Sequence, residues 1–573
     1  MNSTDLPYTV ISCVFFMAIV AWISYRKTRG EVSTGDGYFL AGRGLGAVFI
    51  AGSLLLTNLS AEQLIGLNGS AYGFNLSSMA WEVTAAFATV CMAFIFLPRY
   101  LAGAFTTLPQ FLADRFDDGV RRMTVVLFMV GYGLVTIPSV LYSGSIAVMQ
   151  LFDVPQLLGI SYSQGLLLTI ITIGCIGSVY AIFGGLKAVA VSDTINGMGL
   201  LIVGIAVPLL GLSMLGDGSI GDGLVIIAST DTQKLNAIGG PDDPTPFATL
   251  FTGMVFANLF YWCTNQYVIQ RTLAARDLAQ GQKGVLLSGF FKVLVPFLMM
   301  IPGVIAYHLY GPGLTTIDLA YPQLIRDVLP VWASGFFLAV LLGAVFSSFN
   351  SLINSAATLF CLDVYQPLRK APLDEQHMVR VAKMASVVIA LFSFFVAPLL
   401  QYAPEGLWQI IRIFTGFYNI PVIAIVITGL FTRRVPALGA KIVIVFHIVA
   451  YGLLQFVLGD VVDIHFLHLY AILFFVELGI MLATGYLRPR SEPWIYHHNE
   501  KVDLTPWQYL MPCAITLLSC VVGLYLLFSP IGLVDGLSAW FWPLITLLVI
   551  MNVACWLRFR LAGTAPRIPS RNL

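Results

Sequence analysis

The sequence predicts an all-α integral membrane protein of about fifteen transmembrane helices, and three observations carry that reading. Apolar stretches of about 20 residues, the length that crosses a hydrocarbon core ~30 Å thick, recur along the whole chain. Only 10% of the 573 residues are charged, where a soluble domain carries roughly a quarter. Lys and Arg collect in alternate connections between the stretches, the bias expected of cytoplasmic loops. The net charge of +1 says nothing about nucleic acid, and no basic tract is present to bind it.

The stretches run at about 7–25, 46–70, 76–98, 123–150, 160–183, 188–215, 246–269, 284–310, 332–361, 378–400, 407–431, 438–458, 464–487, 508–529 and 536–557. No basic region precedes the first, and no small-residue cleavage site follows it, so it is expected to be retained as a span. With the N-terminus outside, the first inner loop holds Arg26, Lys27, Arg29 and Arg43. The following inner loops hold Arg99, Arg115, Arg121 and Arg122; then Lys187; then Arg271, Arg276 and Lys283. Next come Arg369, Lys370, Arg380 and Lys383; Arg433, Arg434 and Lys441; Arg488, Arg490 and Lys501; and a tail with Arg558, Arg560, Arg567 and Arg571. Of the 30 basic residues, Lys234 and Arg326 remain outside, and Lys292 and Arg412 fall within spans. Miscounting one span would scramble this alternation from that point on, so the C-terminus is expected in the cytoplasm. The longest outer loop, about 216–245, is rich in Gly and Asp and reads as a cap. The eight cysteines sit in apolar runs without zinc-ligand spacing and read as small buried hydrophobes, with no disulfide implied.

An ionisable side chain near the bilayer centre costs ~2.5–3.5 kcal/mol on insertion scales, so each one is expected to face protein or water. The candidates are Glu62, Glu82, Asp193, Lys292 and Arg412, accompanied by Asn58, Ser60, Gln63, Asn258, Tyr261, Trp262, Asn265, Gln266, Ser347 and Ser348. The second stretch contains TNLSAEQLIG (57–66), in which five of ten side chains are polar. A helix that unwinds there would offer bare carbonyls to a cation, tolerable only beside a protein-lined cavity. Polar residues also seal helix contacts, but five in ten exceed that need. In the ninth stretch Ala344, Ser347 and Ser348 share one helical face by their i, i+3, i+4 spacing. Two hydroxyls and a carbonyl there suit a small hard cation, although small residues also line close helix crossings. In the seventh, Asn258, Tyr261 and Trp262 follow the same spacing. An amide beside aromatic rings suits a polyhydroxylated ring; an interfacial aromatic belt is the alternative. Lys292 and Glu82 either neutralise each other or both bond a substrate. His465 and His468 lie near a span end, and His497 and His498 lie in an inner loop, so no metal site is expected. No H-E-x-x-H, G-x-S-x-G or paired-Asp motif is present, which disfavours an intramembrane enzyme. A sensor is disfavoured because no long cytoplasmic domain follows the spans.

The segments GYFLAGRGL (37–45), NLSAEQLIGL (58–67), WEV (81–83), VLYSG (140–144), FGGLKAVAVSDTIN (183–196), NLFYWCTNQYVIQRTLAA (258–275), VPFLMMIPG (295–303) and FSSFNSLINSAATLF (346–360) together resemble the sodium:solute symporter family, most closely its bacterial sodium/sugar branch. The resemblance extends to about residue 435 and implies a symporter rather than an enzyme. Its expected partners are a sugar-like small molecule, sodium as coupling ion and the lipid bilayer, with no other cofactor and no obligatory protein partner. A bacterial inner membrane is the implied location. The implied core is an inverted repeat of two five-helix units with discontinuous helices, here 46–215 and 246–435. Residues 1–45 and 436–573 would add one N-terminal and four C-terminal peripheral helices, and 216–245 an outer loop. The resemblance further implies sodium ligands at the carbonyls of Leu56, Leu59 and Ala344 and the hydroxyls of Ser347 and Ser348, with Asp193 near the exit path. It implies substrate contacts at Asn58, Gln63, Glu82, Asn258, Lys292 and Tyr261, with Trp262 beside them. Tyr261 would also be an inner gate, and Leu67, Trp81 and Trp408 an outer lid. Two positions depart from the galactose type: Ala85 replaces a serine, and Arg412 replaces a glutamine. Arg412 is compatible with an acidic or sulfated sugar or a sugar acid, or with pairing to Glu82 or a nearby helix end around a neutral one. A fifteenth span is a further departure.

Overall fold

A computed structural model describes residues 6–28, 40–152, 154–314, 316–369, 374–402, 407–459, 461, 464–496 and 502–562. Among these no β-strand occurs; two isolated bridges join Leu45 to Ala275 and Asp277 to Asp503. In chain order the spans are α1 (Pro7–Lys27), α2 (Ala47–Asn58), α3 (Ala61–Gly73), α4 (Leu76–Gly103), α5 (Asp118–Met149), α6 (Tyr162–Val179) and α7 (Leu186–Leu215). They continue as α8 (Gly253–Cys263), α9 (Gln266–Leu273), α10 (Leu278–Tyr310), α11 (Val331–Leu368), α12 (Gln376–Gln401) and α13 (Ile411–Phe431). Four more follow: α14 (Ala437–Val457), α15 (Phe466–Leu487), α16 (Leu510–Leu527) and α17 (Phe541–Leu561). All fifteen expected stretches are helical. Thirteen are single helices long and apolar enough to cross a membrane, and α2 with α3 forms one bent pair. The remaining stretch is divided between α8 and α9, each too short to cross alone. Of the ordered or floppy cap expected for the outer loop, the structure has the ordered form, with a helix at Ile220–Ser229 and a 3-10 turn at Thr232–Leu235.

The two breaks position everything that follows. Between α2 and α3 the axis turns by 56°. Leu59 (φ −82, ψ 79) and Ser60 (φ −90, ψ 171) leave the helical region. Asn and Ser offer the backbone alternative hydrogen bonds and so weaken a helix interior where they cluster. The second break lies at Thr264 (φ −137, ψ −17) and Asn265 (φ −71, ψ 117). The sequence reading did not anticipate it, although Thr264-Asn265 is the same kind of polar pair.

The broken helices are held at close range. α2 lies against α7, where a Cβ on Gly52 would come within 2.7 Å of the Thr194 hydroxyl. α3 lies against α10, where a Cβ on Gly303 would come within 2.1 Å of the Asn68 carbonyl. Glycine is required at both crossings. α14 and α15 brace α13: His447 of α14 bridges Glu477 of α15 (2.5 Å) and the Gly416 carbonyl (3.0 Å). α17 is the most peripheral, with none of its apolar window buried. Its Trp556 indole donates to Thr516 of α16 at 3.1 Å.

Two arginines that the charge pattern assigns to inner loops are not solvated. Arg115 and Arg271 are both fully buried. Arg115 donates to the carbonyls of Gly429, Thr432 and Val435 at 2.8–3.2 Å, capping the end of α13. A guanidinium suits this task because its five donors can satisfy several carbonyls at once.

Candidate functional site

At the first break the backbone hydrogen bonds are rerouted. The Ser60 amide, which a continuous helix would give to the Leu56 carbonyl, donates to Asn58 at 3.0 Å. The Gln63 amide, which would go to the Leu59 carbonyl, donates to Ser60 at 3.2 Å. Leu56 and Leu59 are thereby released from the helical ladder, and both are fully buried. Ser348 of α11 approaches the same place and donates its hydroxyl to the Thr57 carbonyl at 3.3 Å. Ala344 is fully buried on the same helix. Ser347 points elsewhere: its Oγ is buried without a hydrogen-bond partner and lines a separate small cavity with Asn196 and Asn350.

A cavity of about 90 Å³ opens beside this break. Asn58, Gln63, Trp81, Glu82, Asn258, Tyr261, Trp262, Lys292, Ser348 and Arg412 all line it. Glu82 and Lys292 form a buried ion pair, with 3% and 1% of their side chains exposed. The other Glu82 oxygen accepts from the Gln63 amide at 3.0 Å. Lys292 Nζ also sits 5.8 Å from the Trp262 ring centroid. Asn258 donates to the Thr84 hydroxyl at 3.1 Å. Arg412 lies over the Trp81 ring, Cζ to centroid 4.3 Å. The Asn58 Oδ1 and Gln63 Oε1 atoms are buried and have no hydrogen-bond partner. The cavity wall therefore offers acceptors near the break, one neutralised ion pair, and a guanidinium on an aromatic face.

Several lining residues were missed by the sequence reading: Thr136, Ser139, Thr415, Tyr418, Asn419 and Tyr470. Thr136 ends a π-helical turn at Tyr132–Thr136, a local irregularity frequent at functional sites. Ser139 and Asn419 are polar residues inside spans, so the rule that found Asn58 applies to them too. Tyr132 donates to the Asn265 side chain at 2.5 Å and pins the second break. Of the expected lid residues, Trp81 reaches the cavity, and Leu67 is buried outside its lining. The side chains of Glu62 and Trp408 lie outside the described residues.

Asp193 is buried on α7 and accepts from the Ser53 hydroxyl at 2.7 Å. Arg271 donates to the same hydroxyl at 2.8 Å and also to Ser351 and the Tyr267 carbonyl. The Ser351 hydroxyl lies 3.3 Å from that of Thr57, at the end of α2. A continuous polar chain thus runs from the first break through Ser351, Arg271 and Ser53 to Asp193. The acid was anticipated; its buried cationic neighbour was not.

Two broken helices beside one polar cavity are a transporter architecture. Residues 38–445 match the sodium:solute symporter family. This chain belongs to that family. It is 42% identical to the uncharacterized symporter YidK of Escherichia coli (strain K12), over 92% of this chain and 91% of that protein. It is 30% identical to the sodium/glucose cotransporter of Vibrio parahaemolyticus, covering 78% of this chain and 84% of the other. Identity is also 30% with the human sodium/myo-inositol cotransporter 2, over 76% and 67%. Among solved structures it resembles a Na+-coupled sialic acid symporter in a substrate-bound outward-open state, with a TM-score of 0.73. That match covers 84% of this chain and 98% of the other at 19% identity, and shows a shared fold. The chain is thus an integral membrane symporter with an inverted-repeat core and discontinuous helices.

Proposed function

We propose that this symporter carries a sugar or sugar derivative inward together with sodium by alternating access. The observation that carries the reading is the pair of buried, unpartnered acceptors, Asn58 Oδ1 and Gln63 Oε1, facing the cavity at the helix break. A buried polar atom left unsatisfied costs about 1–3 kcal/mol. Hydroxyl donors on a polyhydroxylated ring would remove that cost. Asn258 and Lys292 take further hydroxyls, and Tyr261 and Trp262 face the ring's C–H surface. The names of the relatives, which refer to glucose and myo-inositol, point to the same chemistry.

Sodium binds where α2 breaks, between the carbonyls of Leu56, Leu59 and Ala344 and the hydroxyl of Ser348, with Ser347 turned to its own cavity. It pins α2 to α11 and so completes the cavity. Tyr261 closes the inner side, and Trp81, Leu67 and Trp408 close the outer side. Asp193 receives the ion on its way in. In this reading the repeats span 46–215 and 246–435, the N-terminus is outside, the C-terminus is cytoplasmic, and the membrane is a bacterial inner membrane. Coupling requires that sodium bind the outward and inward states unequally. Each inward sodium gains ~2.3 kcal/mol per 100 mV, less whatever charge the substrate brings.

Uptake into proteoliposomes tests the reading. Radiolabelled glucose, galactose, myo-inositol, glucuronate and galactose 6-sulfate are offered with an inward sodium gradient or with potassium in its place. At least one is expected to accumulate only with sodium. Uptake of none of them, or equal uptake in potassium, refutes the proposal.

A further inference from the structure

We infer that α15 is a further wall of the substrate cavity, and that Tyr470 is the positioning residue through which it sets where α13 meets the load. The inference goes beyond the sugar reading and uses it only for its probes. α15 lies wholly outside residues 38–445, the part of the chain that matches the family. It nevertheless touches two helices that carry cavity residues. One is α8, which supplies Asn258, Tyr261 and Trp262. The Phe256 ring stacks on Phe474 of α15 at 3.8 Å, and the Thr252 hydroxyl lies 2.9 Å from His468 Nδ1. The Leu467 carbonyl lies so close to Gly253 that a Cβ there has no room. The other helix is α13, and Tyr470, 1% exposed, reaches it from within the cavity lining.

The contact with α13 is made on its backbone. The Tyr470 hydroxyl donates to the Arg412 carbonyl at 2.7 Å. Tyr451 of α14 donates to the next carbonyl, Ile413, at 2.9 Å, and His447 holds that of Gly416 at 3.0 Å. A Cβ on Gly416 would come within 2.6 Å of the Tyr451 hydroxyl and 2.7 Å of the Tyr470 hydroxyl, so glycine is what admits both. Pro421 offers no amide to the Phe417 carbonyl, so the ladder of α13 is interrupted just past these three carbonyls. A helix bends most easily at such a point, and the outside donors fix its course there. The side chains that α13 gives to the cavity are Ile411, Arg412, Thr415, Tyr418 and Asn419. Their spacing puts all five on one helical face, so a shift of the backbone at Arg412 moves the whole face. A phenol is a stiff strut for this task, with two rotatable angles between its backbone and its hydroxyl.

The test is Tyr470→Phe in the full-length protein, which keeps the ring and deletes the one oxygen that holds α13. Uptake into proteoliposomes is measured with labelled glucose, galactose, myo-inositol, glucuronate and galactose 6-sulfate. For whichever of these the wild type accumulates with sodium, the half-saturating concentration is expected to rise about 3- to 10-fold, the worth of one hydrogen bond. The half-saturating sodium concentration is expected to stay within twofold, because the ion meets α2 and α11 rather than α13. A merely structural loss would move both together and lower the thermal transition. If Tyr470→Phe is not recovered folded, Tyr451→Phe carries the test: its hydroxyl holds the next carbonyl from outside the cavity lining, and the same split is expected. An unchanged sugar half-saturation in the folded variant, or sugar and sodium values rising together, overturns the inference and leaves sugar symport standing. If none of the five sugars moves with sodium in the wild type, the sugar reading fails, and amide hydrogen exchange in sodium alone decides the role of α15. Faster exchange confined to residues 411–420 in Tyr470→Phe upholds that role; exchange unchanged there, or raised throughout the chain, overturns it.

Discussion

Ser348→Ala removes one hydroxyl from the face of α11 that meets the broken helix. In the structure that hydroxyl donates to the Thr57 carbonyl at 3.3 Å. Such a neutral bond contributes about 0.5–1.5 kcal/mol. In the proposed sodium-bound state the same oxygen turns its lone pair to the cation, a charged contact of about 1.5–3 kcal/mol. The substitution forfeits the smaller quantity without the ion and the larger one with it. The difference, about 1–2 kcal/mol, corresponds to a ~5- to 30-fold rise in the sodium concentration for half-maximal uptake. Saturating sodium should restore most of the sugar affinity, because the ion acts by mass action on the same site. Sodium titrations of uptake, and of the thermal transition in detergent, measure the effect directly. Ser355→Ala is the control: two turns further along α11, it loses only a bond to Gln270. A sodium half-saturation in Ser348→Ala within twofold of wild type would refute the sodium assignment, because no ligand would then have been removed.

Two further outcomes follow from the cavity. Lys292→Met alone leaves the Glu82 carboxylate buried without its cation, an expected loss of about 3–5 kcal/mol seen as a lowered thermal transition. The double variant Glu82→Gln with Lys292→Met removes both charges and is expected to recover most of that stability while losing sugar uptake. Asn58→Ala deletes a side-chain oxygen that has no protein partner together with an amide that bonds Tyr261, so the expected folding cost is that of one hydrogen bond, about 0.5–1.5 kcal/mol. The half-saturating sugar concentration, read from uptake curves, should rise ~10-fold or more.

Much of the site was legible from cost alone. Asn58, Gln63, Glu82, Lys292 and Arg412 are polar or charged residues inside stretches that must cross lipid, where such residues are expensive unless they face a cavity. All five line one. The cost says nothing about partners. Glu82 and Lys292 are 210 positions apart, and their pairing comes from the packing of α4 against α10, not from any local pattern. Arg271 shows the same limit. It lies beyond an apolar stretch and next to other basic residues, so charge alternation placed it in a loop. It is in fact the fully buried neighbour of Ser53, Ser351 and, through Ser53, Asp193.

By itself, then, the sequence determined the membrane class, the succession of helical stretches, the first break and about half of the cavity lining. Apolar length, local polarity and burial cost act within a few consecutive residues. The tertiary structure alone decided which charges neutralise each other and where the second break falls. It also sent Ser347 and Ser348 to different cavities. Adjacent helical residues point ~100° apart, so only the positions of α2, α7 and α11 around α11's own axis determine which hydroxyl meets the bare backbone.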